Sequence, residues 1–158
     1  MTAGVGPCAL PLVGLTWGIK RSFIRYIGTL PDGRHAMSEG TYLGETSYFT
    51  FPPAPAPDTP QVMRFGGVVR LGGHGGMLDI LIAEPWVEMT GSGPILSVID
   101  PTGWPDRTRR IPLAELHLWE AAHGLTERRY AATLTGAGAV IFDDHYPPGT
   151  ELDMLVIE

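Results

Sequence analysis

Two short stretches hold the side chains best suited to chemistry. In "RSFIRYIG", Ser22 and Tyr26 stand four positions apart. On a helix that spacing places them on one face a turn apart, where their two hydroxyls can converge on one point. A phenol is a proton donor and, once ionised, an oxygen ligand for a hard metal; it is also a common rim residue with a packed ring and a wet hydroxyl. In "RLGGHGGMLD", His74 lies between Gly72, Gly73, Gly75 and Gly76. Glycines leave an imidazole uncrowded and allow backbone angles that other residues avoid. Within a strand pattern they mark a bulge or the close approach of a flat group, or a plain hairpin turn with an exposed histidine.

These residues need elements to position them. From Thr16 to Ile27, "TWGIKRSFIRYI" is predicted to be a helix with Thr16 as N-cap and Gly28 as its stop. Trp17, Phe23, Ile24 and Ile27 form its apolar stripe. A second, short helix is predicted after Thr135 in "TGAGAVIF". The candidate strands are "TYLGETSYFTF", "VMRFGGVVRL", "MLDILIAEPWVEMT", "PILSVID", "YAATL" and "LDMLVIE". The stretch "IPLAELHLWEAA" fits helix and strand equally well by period. The proline-dense 51–60 segment and "DPTGWPDRTRR" read as loops.

With 21 glycines and 15 prolines punctuating short runs, the fold is expected to be mainly β, a β-sandwich-like single domain with two or three short α-helices. Its 158 residues, 44% hydrophobic, suit one domain over 1–158, with residues 1–14 expected as a loosely ordered N-terminal segment. A formal charge of −6 and the lack of a long Lys/Arg run argue against nucleic acid as a partner. The single cysteine, Cys8, excludes an internal disulfide and a thiolate zinc site. Five histidines, at 35, 74, 117, 123 and 145, show no metal-ligand spacing. No stretch reaches the roughly 18 uninterrupted apolar residues of a membrane span. The N-terminal "MTAGVGPCALPLVGLTW" lacks a basic start and carries Pro7 and Pro11 inside its apolar run. As written it is not a secretory signal, which gives a cytoplasmic expectation.

Three segments, "LTWGIKRSFIRYI", "FGGVVRLGGHGGMLDILIAEPWVE" and "ATLTGAGAVIFDDHYPPGTELD", resemble in order and spacing the HtaA domain of bacterial haem-uptake proteins, from about Leu15 to Asp153. The resemblance implies a β-rich fold that captures ferric haem, as haem b, and carries or transfers it. It implies Tyr26 of the "SFxxY" pattern as the axial ligand to the iron, with Ser22 a turn away. It implies that His74 of "GHxGxLD" hydrogen-bonds the tyrosine oxygen and that Tyr146 of "YxxGTxLD" borders the pocket. A phenol with an ordinary pKa near 10 becomes a phenolate on ferric iron, and a histidine donor strengthens that state with a charge-assisted hydrogen bond.

Phe23, Ile27, Met77 and Leu78 are candidate apolar walls, and Arg25 and Arg70 candidate partners for haem propionates. His145 stands where the family has an apolar aromatic residue, so a second nitrogen base is expected near the open face of the haem. The resemblance also implies a further haem-binding protein as donor or acceptor, allows a homodimer, and sets an extracellular or cell-surface location against the cytoplasmic expectation. Tyrosinate-ligated haem occurs in catalases too, so the second reading is a haem-dependent enzyme acting on peroxide. The third is a haem-free β-sandwich interaction domain with Tyr26 in its core.

Overall fold

A computed structural model describes residues 14–44, 48–55, 59–121 and 127–158. The expectations for residues 1–13, including Cys8, and for His123 lie outside the described residues. The chain runs β1 (Leu15–Trp17), α1 (Arg21–Thr29), β2 (Arg34–Ser38), β3 (Tyr42–Leu43), β4 (Phe49–Phe51), β5 (Val62–Arg64), β6 (Val68–Gly73) and β7 (Leu78–Ala83). It continues with β8 (Trp86–Thr90), β9 (Gly93–Ile99), β10 (Arg110–Ala121), β11 (Arg128–Leu134), α2 (Gly136–Ile141) and β12 (Glu151–Ile157). A nine-stranded antiparallel sheet has the order β3-β4-β1-β12-β11-β10-β9-β8-β5, and a three-stranded one the order β2-β6-β7. The mainly β expectation therefore holds, with two α-helices among the described residues. No helix among the described residues is long and apolar enough to cross a membrane.

The first helix starts later than its pattern predicts. Thr16 is not its N-cap: Leu15–Trp17 form a strand paired with β12 on one side and β4 on the other. Leu15 and Trp17 are completely buried, and the Trp17 indole donates to the Asp153 carbonyl at 2.8 Å. Two flanking strands satisfy every backbone group of this triplet, so long-range pairing overrides the local helical period. The helix begins at Arg21, whose N–H donates to the Asp153 carboxylate at 3.2 Å. A carboxylate from β12 thus does the work of the missing side-chain cap and complements the positive end of the helix. Gly14, expected in the loose N-terminal segment, is hydrogen-bonded in both directions to Glu158.

Two predicted strands each divide between the sheets. The run 62–71 breaks at Gly66–Gly67, and the run 77–90 at Glu84–Pro85, where the chain passes between the small sheet and the large one. The stretch left open between helix and strand is β10, which pairs with β9 and β11. Register shifts at Pro112/Ala114 and Leu118/Glu120 spoil its alternation, which is why neither period fits cleanly.

Both sheets share one apolar core, in which Val69, Leu71, Ile80 and Ile82 of the small sheet meet Val87, Leu96, Val98 and Leu113 of the large one. Phe23 and Ile27 carry α1 into the same core. The second helix forms as predicted, with the Thr135 hydroxyl accepting the Gly138 N–H at 2.8 Å. Its glycines cost helix propensity but admit close packing, because a Cβ on Gly138 would lie 2.2 Å from the Leu113 carbonyl oxygen.

Candidate functional site

With Phe23 and Ile27 turned into the core, the 3.6-residue period leaves Ser22 and Tyr26 on the outer side of α1. Tyr26 remains 44% exposed although its ring lies 6.3 Å from that of the buried Phe23. Its hydroxyl is 2.7 Å from His74 Nε2. Ser22 does not share that point: it hydrogen-bonds the Tyr146 phenol. The two hydroxyls of α1 therefore serve two separate pairs instead of converging.

His74 begins a 3-10 turn, His74–Gly76, that joins β6 to β7. His74, Gly75 and Gly76 all have left-handed backbones, with φ of 51°, 64° and 93°. Only the histidine incurs the steric cost of that conformation, about 1–2 kcal/mol for a residue with a Cβ. The flanking glycines have different jobs. Added Cβ atoms on Gly75 and Gly76 would meet nothing within 4 Å, so these positions need glycine for conformation. A Cβ on Gly73 would lie 2.7 Å from Leu30 Cδ1, so the Leu30 side chain at the end of α1 reaches the hairpin here. The plain hairpin turn with an exposed histidine is thus present.

Asp32, which no sequence pattern singled out, anchors this turn. Its carboxylate accepts the N–H groups of His74 at 3.1 Å and Gly75 at 2.6 Å. The Gly75 bond is the main cause holding its pKa below the usual 3.8. The "PDG" turn signal at 31–33 marks a chain reversal. Nothing in it discloses partners more than forty positions away.

The third side of the site comes from the exit of α2. Asp143 and Asp144, both left-handed with φ of 52° and 58°, reverse the chain and bring His145 and Tyr146 beside α1. The Phe23 ring centre lies 6.0 Å from that of His145 and 5.7 Å from that of Tyr146, meeting the latter edge-on, and Phe142 packs edge-on at 5.9 Å. Burial pushes the Tyr146 phenol above its ordinary pKa, and the Ser22 hydrogen bond partly opposes this. Lys20 Nζ lies 5.1 Å from the centre of the same ring.

Between these walls is an open depression of about 580 Å³ lined by His74, Met77, Leu78, Asp143 and His145. Met77, 86% exposed, stands on the rim and the buried Leu78 forms part of the floor. Ile27 is a core residue, and Arg25 is exposed on α1. Arg70 is held by Asp79 at 3.0 Å and lines a second depression, of about 250 Å³, that meets the first at Asp143. The sequence-predicted Ser22, Phe23, Tyr26, His74, His145 and Tyr146 are thus gathered on one face. Left-handed backbones at His74, Asp143 and Asp144 cluster there, as strained residues do at functional sites.

The sequence profile of the HtaA family (Htaa) matches residues 13–158. The chain belongs to the HtaA family. Its fold is similar to the C-terminal domain of HtaA from Corynebacterium glutamicum, with a TM-score of 0.71 and 26% identity over 94% of this chain and 95% of that one. The N-terminal domain of the same HtaA is similar at a TM-score of 0.68 and 25% identity, over 91% of this chain and 93% of that one. HtaB of that organism, a haem-binding protein, shares the fold at a TM-score of 0.69 with 17% identity, over 92% of this chain and 91% of that one. A histidine-to-alanine variant of the C-terminal domain of HtaA is a domain-swapped dimer, matching at a TM-score of 0.58 and 27% identity over 89% of this chain and 90% of that one. No curated protein sequence matches the chain.

Proposed function

We propose that this HtaA-family chain binds ferric haem b on the face formed by α1, the histidine turn and the exit of α2, with the Tyr26 oxygen as axial ligand, and carries it to or from another haem-binding protein. One observation carries the reading: the phenol oxygen of the half-exposed Tyr26 lies 2.7 Å from Nε2 of His74, and His74 lines an open, partly apolar depression of about 580 Å³. The donor set fits the group. When bound, haem supplies a ferric centre that accepts an anionic oxygen, together with a wide apolar ring.

The chain's own residues divide the remaining tasks. Tyr26 would release its phenolic proton to solvent on binding ferric haem, and His74 Nε2 would stabilise the resulting oxygen anion as a hydrogen-bond donor. Phe23 backs the Tyr26 ring from the core, and Leu78 and Met77 offer apolar surface to a flat ligand. Ser22 holds Tyr146 at the border of the site. His145 brings a second nitrogen base to the depression. Family membership and the structural likeness to HtaA domains support a binding and transport role over a catalytic one. The openness of the site favours handing a ligand on over enclosing it for reaction.

Haemin titration tests the proposal. The wild type is expected to give a saturable Soret band of the tyrosinate type, and Tyr26→Ala to lose it. If Tyr26→Ala retains the wild-type spectrum and affinity, the ligand assignment is wrong. If wild type gives no band, a haem-free interaction domain replaces the reading. Peroxide turnover by the loaded wild type would move it toward an enzyme.

A further inference from the structure

The two halves of the Tyr26–His74 pair meet at hydrogen-bonding distance from separate elements. Tyr26 rides on α1, whereas His74 sits at the tip of a hairpin in the small sheet, 48 positions later. Core packing of Phe23 and Ile27 with Leu71 and Leu78 brings the two elements together, while the Tyr26 and His74 side chains themselves are exposed. Asp32 joins the two elements. It lies in the turn that leaves α1, and Gly33 keeps that turn flat against the helix, since a Cβ there would lie 1.9 Å from the Ile27 carbonyl oxygen. In the His74–Gly76 turn the N–H groups of His74 and Gly75 both point toward Asp32, forming a small anion receptor. The Asp32 carboxylate fills that receptor with one oxygen per amide, at 3.1 and 2.6 Å.

We infer that Asp32 is a positioning residue for the proposed haem site: by clamping the backbone of His74 to the end of α1, it sets the imidazole against the Tyr26 oxygen. The inference rests on the proposed function above. Asp32 touches no ligand in this arrangement and acts through His74. Groups that orient a ligand's hydrogen-bond partner typically change affinity by about 10–100-fold. Because Asp32 acts one step further out, the lower end, about tenfold, is expected.

The test compares wild type, Asp32→Ala, Asp32→Asn and Tyr26→Ala. Amide hydrogen exchange at His74 and Gly75 and the His74 ring NMR signals are measured without haem; the rate of haemin loss to a scavenging protein is measured on the loaded chain. Asp32→Ala is expected to speed exchange at those two amides, shift the His74 ring signals and raise haemin loss about tenfold. Asp32→Asn keeps one acceptor oxygen and should fall between the two, a partial rescue that a general loss of fold would not give. If Asp32→Ala fails to fold, Asp32→Asn carries the same comparison against wild type. Unchanged ring signals and haemin loss in the variant would overturn the inference, as would a fall in melting temperature alone. Haemin retention by Tyr26→Ala would instead sink the haem-site reading, and the exchange data would still report whether Asp32 holds the turn.

Discussion

Replacing His74 should separate the needs of the site from those of the fold. The residue is left-handed at φ 51°, a conformation that costs about 1–2 kcal/mol for a side chain with a Cβ and nothing for glycine. Glycine loses about 0.5–1 kcal/mol more backbone entropy on folding than alanine does. The difference at the midpoints leaves His74→Gly more stable than His74→Ala by about 0.75 kcal/mol, and by at most about 1.5 kcal/mol, or about 2–3 °C in Tm at the midpoint for a chain of this size. Both variants lose the hydrogen bond to Tyr26, so that term cancels between them. Both should release haemin about 10–100-fold faster than wild type. The assay is thermal unfolding of the haem-free monomer, isolated by size exclusion because a histidine-to-alanine variant of a related domain is a domain-swapped dimer. Haemin release to a scavenging protein is measured on the same samples. The reasoning fails if His74→Gly is no more stable than His74→Ala, or if either keeps the wild-type release rate.

Tyr26→Phe should abolish tight haemin binding while changing unfolding free energy by less than about 1.5 kcal/mol, because it removes one exposed hydrogen bond and leaves the ring packed; retained binding in a haemin titration would refute this. Phe23→Ala removes a side chain only 2% exposed that backs Tyr26, His145 and Tyr146, and should cost about 3–5 kcal/mol in urea unfolding; a loss below 1 kcal/mol would contradict the packing described. Burial raises the Tyr146 phenol above pH 10, so its contribution to stability is present below pH 10 and is lost as pH rises through the raised value. Ultraviolet titration, assigned by difference from Tyr146→Phe, should show that late ionisation and move it later still in Ser22→Ala; a Tyr146 midpoint at or below 10 would count against the burial of the phenol, and an unmoved midpoint in Ser22→Ala against the Ser22–Tyr146 pairing.

The sequence by itself determined what backbone geometry settles within a turn or two. The four-residue spacing of Ser22 and Tyr26, with Phe23 and Ile27 between and beyond, set which side of α1 is buried and which is offered outward. Thr135 marked the start of α2, and the glycines around His74 marked a turn that frees its imidazole. The resemblance then brought Tyr26, His74, Ser22, Tyr146 and His145 together, and the structure gathers them on one face. What only the tertiary structure decided are the pairings between distant positions. Leu15–Trp17 became a strand because β12 and β4 take its backbone groups from both sides, which moved the helix start from Thr16 to Arg21. Ser22 and Tyr26 took different partners because the reversal at Asp143–Asp144 delivered Tyr146 to one while the hairpin delivered His74 to the other. Asp32 carried only a local turn signal and none of its role, since its two partners lie more than forty residues on. Local spacing encodes faces and caps because helical and strand periods act over neighbouring residues. Which faces meet depends on closing long loops and satisfying buried backbone groups across the whole chain, and no short stretch contains that information.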